Sequence, residues 1–94
     1  MPGMERPAVV ALLQAANPRR SLAEVMIYAD LWLDYQAAQA NIERFGALVV
    51  NPRTAAPEEN PWLAIRSRSS AGMLKSKIKA DELWATSAAK SSDP

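Results

Sequence analysis

The sequence predicts a mainly α-helical fold: a long antiparallel helical hairpin with a short β-hairpin-like connection and an oligomerising core. Three observations carry this. A capped run of apolar residues at helical spacing extends from Ser21 to Gly46. A β-prone stretch and turn chemistry follow in Ala47-Leu48-Val49-Val50 and Asn51-Pro52-Arg53-Thr54. Asn60-Pro61 then has the form of a second helix start.

Taken in chain order, residues 1–7 contain Pro2, Gly3 and Pro7 and read as flexible. Residues 8–16 suit a short helix opened by Pro7, because proline fits a first helical turn. Asn17-Pro18 ends it, since the residue before proline avoids the helical region. Ser21-Leu22-Ala23-Glu24 has the pattern of a capping box, with Glu24 reaching back to the capping serine. Beyond it Leu22, Val25, Met26, Ala29, Leu33, Gln36, Ala37 and Ala40 recur on one stripe, and Tyr28, Leu31, Trp32, Tyr35 and Ile42 widen it. Gly46 stands where a left-handed helix stop belongs.

After the stop, Ala55-Ala56-Pro57 is expected to return as a weak second strand, confined to an edge by its proline. Asn60 caps the second helix and Pro61 takes its first position. That helix is predicted over 61–78, with Trp62, Ile65 and Met73 inward, Leu63 and Leu74 as further inward candidates, and Ser69, Ser70 and Gly72 weakening its middle. Asp81-Glu82-Leu83-Trp84 suggests one last turn. The implied organisation is a flexible leader with a short helix (1–20), a helical-hairpin core (21–85) and a disordered tail (86–94).

A chain of 94 residues makes one small domain. It buries only about 60–65% of the surface its unfolded form exposes, so its core is thin. The helix from 22 to 45 carries a stripe too wide for one short partner helix, which points to self-association. The expected oligomer seam is Leu22, Val25, Met26, Ala29, Trp32, Leu33, Gln36, Ala37 and Ala40. The six aromatics on these stripes or near the caps fit core or subunit packing better than base stacking.

The residue inventory excludes much chemistry. There is no cysteine and no histidine. A disulfide framework is therefore impossible, and the commonest general base and metal ligand are missing. Asp30 and Asp34 are neighbours one helical turn apart, but without a third ligand they read as a solvated acidic face. No phosphate-binding glycine loop is present. The expectation is a non-enzymatic protein with no catalytic residues, metal or cofactor. No run reaches the roughly 20 apolar residues of a membrane span. The Ala8–Leu13 apolar run is shorter than a typical signal-peptide core.

The net charge of +1 hides an uneven distribution. Residues 21–45 sum to −3 and residues 62–79 to +5. Arg66, Arg68, Lys75, Lys77 and Lys79, spread around one helix, suit a sequence-independent grip on a nucleic-acid backbone, with Arg19 and Arg20 as further candidates. The plainer reading is a solvated basic helix lying on the acidic one. No helix-turn-helix spacing supports base reading.

The succession Tyr28-Ala29-Asp30, Tyr35 to Ile42, Gly46, Asn51 to Pro57 and Asn60-Pro61-Trp62-Leu63 resembles the central block of the P27-type small subunit of tailed-phage terminases, over about residues 21–85. The resemblance implies a ring-forming, non-enzymatic adaptor in the host cytoplasm. Such a subunit recognises phage double-stranded DNA and delivers it to the large terminase subunit, which holds the ATPase and nuclease. The chain departs from the pattern in being short, in a leader reduced to Met1–Arg20, and in having Ala55 or Ala56 where the connection carries a glycine. The alternative is a small helical protein-interaction module, or a truncated prophage remnant, without DNA binding.

Overall fold

The computed structural model describes residues 5–91. Its elements in order are α1 (Arg6–Ala16), α2 (Leu22–Phe45), β1 (Leu48–Val50), β2 (Pro57–Glu59), α3 (Trp62–Lys75) and α4 (Asp81–Ser91). The fold is thus mainly helical with a small antiparallel sheet. Its described residues divide into two compact units, one of residues 5–30 with 75–91 and one of residues 31–74. Helix α2 runs through both.

The first unit is built by α1, the start of α2, the 76–80 segment and α4. The capping box forms: Glu24 N–H donates to Ser21 Oγ at 3.1 Å, and Glu24 Oε1 receives the Ser21 hydroxyl at 3.2 Å. The core comprises Val9, Leu13, Val25, Tyr28, Ala29, Ile78, Ala80 and Leu83, all buried. A buried valine or leucine stabilises by about 1.5–3 kcal/mol relative to an exposed one, so α1 and α4 are integral to this unit. Trp84 Nε1 donates to the Tyr28 hydroxyl at 3.1 Å. On the surface Arg6 donates to both Asp30 oxygens, at 2.7 and 3.3 Å. These bonds hold the Asp30 carboxyl below the usual carboxylate range. Both side chains are about half exposed, so salt screens the pair.

The second unit is an antiparallel helix pair closed by a hairpin. Three pairings set its register: Asn41 with Asn60, Gln39 with Arg66, and Leu31 with Gly72. A methyl group on Gly72 would lie 2.9 Å from Leu31 Cδ1, so the missing side chain lets α3 approach α2 closely. The buried positions here are Trp32 and Ala38 on α2, Ser69 and Met73 on α3, and Asn60. Gly46 stops α2 at φ +86°, its N–H donating to Ile42 O at 2.7 Å. β1 pairs antiparallel with β2, Leu48 opposite Glu59 and Val50 opposite Pro57.

Four sequence expectations change. The second strand is Pro57–Glu59 rather than 55–57. Ala55 is instead in the turn at φ +57°, a left-handed conformation that costs a non-glycine residue roughly 1–2 kcal/mol. Asn51 Oδ1 and Thr54 Oγ1 support that turn by accepting from Arg53 and Ala56 N–H. Helix α3 ends at Lys75, not at 78, because Ser76 Oγ accepts from Ile78 N–H and the chain leaves the helix there. The single turn expected at 81–84 is the start of the eleven-residue α4, and the tail expected from 86 is helical to Ser91. In the leader, α1 already begins at Arg6, and its Val9 and Leu13 are fully buried. The expectations for residues 1–4 and 92–94 lie outside the described residues.

Candidate nucleic-acid interface

The basic residues do not share one helix. Arg66 and Arg68 lie on α3 in the second unit. Lys75 is the last residue of α3, and Lys77 and Lys79 follow it in the 76–80 segment of the first unit. The expected distribution of five cations around a single helix is therefore replaced by two separate groups.

In the second unit Arg66 is half-buried and donates from Nη1 to Gln39 Oε1 at 2.9 Å. It is committed to the helix pair. Arg68 is exposed and lines a groove of about 490 Å³ with Leu31, Asp34, Trp62, Ile65 and Ser69. An arginine and an aspartate thus share the rim of an apolar groove, an environment that weakens the arginine's pull on a phosphate.

In the first unit Arg19 and Arg20 stand in the turn between α1 and α2, where Arg20 N–H donates to Asn17 O at 3.1 Å. Arg20 reaches Glu24 at 3.6 Å across an exposed pair. Arg19, Lys75, Lys77 and Lys79 are exposed and form no ion pair among the described residues. The residue that organises this region is Asn17, buried to 6% exposure. Its Nδ2 donates to Leu13 O at 2.8 Å, capping α1, and to Lys79 O at 2.8 Å. Its Oδ1 accepts from Lys79 N–H at 2.8 Å. One amide side chain thus copies the pairing of a β-bridge between positions 62 apart. In the sequence Asn17 is legible only as a helix stop. Its sole cue is a helix-terminal asparagine, whose amide can both donate and accept.

The expected oligomer seam is partly consumed by the fold. Val25, Ala29 and Trp32 are 0, 0 and 2% exposed within a single copy, so they are core. Met26, Leu33 and Gln36 are half-buried. Leu22, Ala37 and Ala40 stay exposed. Large apolar side chains also stand outside the expected stripe: Ile27, Phe45, Leu48 and Val50 are all more than half exposed, and Leu74, expected inward on α3, is 83% exposed near the end of that helix. Leu48 and Val50 point to the same side of β1, an alternation that a three-residue strand is too short to display in sequence.

Asp30 is engaged by Arg6, and Asp34 lines the α3 groove. No cluster of three potential metal ligands occurs among the described residues. No helix among them is long and apolar enough to cross a membrane. No family model matches the chain, and neither a curated protein nor a solved structure shows significant similarity to it.

Proposed function

We propose that this chain is a small terminase subunit of a tailed phage. In this reading it is a non-enzymatic, DNA-binding adaptor that assembles with copies of itself in the host cytoplasm and serves the large ATPase-nuclease subunit. One observation carries the reading: the residues that bear the resemblance are tied together. Asn60 is 2% exposed. Its Nδ2 donates to Asn41 Oδ1 and to Gly46 O, each at 2.9 Å, and its Oδ1 accepts from Trp62 N–H at 3.0 Å. Asn41, Gly46, Asn60 and Trp62 are thus one cross-braced joint between helix, hairpin and helix. A motif with a structural reason for its order is better support than separate helix stops and caps.

DNA contact in this reading is electrostatic. The exposed cations face solvent and the sequence has no helix-turn-helix spacing for base reading, so affinity should fall steeply with salt. Retardation of a duplex DNA by the full chain at about 50 mM salt, lost by about 200 mM, is the expected result. An unchanged duplex mobility at the lower salt would contradict the DNA-binding role.

A second reading, a protein-interaction module without DNA binding, is favoured by the groove of Leu31, Trp62 and Ile65 on the second unit. It predicts no retardation and a monomer or dimer.

A further inference from the structure

Arg19 and Arg20 are far from Lys77 and Lys79 in sequence, and the Asn17–Lys79 bonds bring their two stretches of backbone together. Arg19 and Arg20 follow the buried Asn17 closely, and Lys79 is the residue that Asn17 holds. Both bonds use the Lys79 backbone, so its ammonium group is left to solvent. Burial alternates along this segment: Ile78 and Ala80 turn inward while Lys77 and Lys79 are exposed. Lys77 and Lys79 therefore leave the backbone on its solvent side.

The acids closest in sequence to these cations are Glu24, Asp81 and Glu82. Glu24 meets Arg20 through an exposed and weak pair. Asp81 and Glu82 begin α4, where the helix dipole favours them. No aromatic residue lies within three positions of any of the four cations, which favours contact with phosphates over stacking on bases. Arg66 is spent on Gln39, and Arg68 shares its groove with Asp34.

We infer that Arg19, Arg20, Lys77 and Lys79 form one grip for the phosphodiester backbone of duplex DNA, that Asn17 is its positioning residue, and that Arg66 and Arg68 lie outside it. This rests on the DNA-binding reading above and locates its contact surface. The grip needs the first unit folded, because the 76–80 segment is held by Asn17 and by the buried Ile78 and Ala80, not by a helix of its own.

The test measures duplex DNA affinity of the full chain against salt. Removing one phosphate contact lowers the slope of log K against log salt by about 0.9. R19Q/R20Q and K77Q/K79Q replace exposed side chains and leave the Asn17 bonds intact. Each double substitution is expected to lower the slope by about 2, and R66Q/R68Q to leave it unchanged. N17A, read at a temperature where its circular dichroism matches the parent, is expected to lower the slope as well. A purely structural role for Asn17 would lower the melting temperature and spare the slope. If the parent binds and K77Q/K79Q keeps its slope, or R66Q/R68Q loses as much, the grip is overturned while DNA binding stands. If the parent binds no duplex at all, the DNA-binding reading falls and the grip falls with it.

Discussion

Replacing Trp32 by alanine is expected to destabilise the fold by about 3–5 kcal/mol, the usual cost of emptying a buried tryptophan site. Trp32 is 2% exposed and is the largest side chain in the core. At roughly 4–8 °C of melting temperature per kcal/mol for a domain of this size, the transition should drop by more than about 10 °C. The result decides between two roles for the α2 stripe. A core residue lowers the melting temperature. A subunit-seam residue lowers the native mass and leaves each copy folded. The geometry predicts the first.

The second large effect is at Asn60. Substitution by alanine removes three side-chain hydrogen bonds at once. It leaves Gly46 O, Asn41 Oδ1 and Trp62 N–H without that partner at a part-buried joint. A buried polar group deprived of its partner costs about 1–3 kcal/mol, and loss of a helix cap typically about 1 kcal/mol. The costs overlap, so a total of about 3 kcal/mol is expected, read as a lower urea midpoint at unchanged slope. Asn60→Asp keeps the cap to Trp62 N–H but cannot donate to Gly46 O or Asn41 Oδ1. It should fall between the parent and Asn60→Ala. If Asn60→Ala matched the parent, the joint would not be what holds the helix–hairpin–helix together.

The contrast between these two sites shows what is legible in the sequence. Local chemistry is. The Ser21–Glu24 box, the Gly46 stop and the Asn60 cap each depend on residues within four positions, and each forms as expected. The reach of Asn60 to Asn41 is not legible, because nothing local to either residue names the other. Asn17 and Lys79 are the stronger case. The spacing of the basic run is compatible with one continuous helix. A long-range pairing and a Ser76 turn end that helix at Lys75. Helix α4 escapes a reading by composition because its Ala, Ser and Lys content resembles a frayed tail. Leu83, fully buried, gives it an anchor that composition does not display.

The width of the α2 stripe has a similar explanation. A 24-residue helix of about 36 Å that serves two units buries different residues in each. Val25, Tyr28 and Ala29 belong to the first unit, and Trp32 and Ala38 to the second. A stripe too wide for one partner suggests a need for other copies, whereas much of it is used within the chain. The apolar residues the fold leaves exposed are Leu22 and Ile27 in the first unit and, separately, Ala37, Ala40, Phe45, Leu48 and Val50 in the second. A two-stranded sheet with three-residue strands is marginal alone in water, and exposed apolar residues on it gain most from a partner.

Whether this chain is a packaging adaptor turns first on its native mass at moderate salt. An adaptor of that kind should form a closed assembly of many identical copies, with a mass that is a multiple of 10.3 kDa and does not change on dilution. A single species at 10.3 kDa across the concentration range would contradict it.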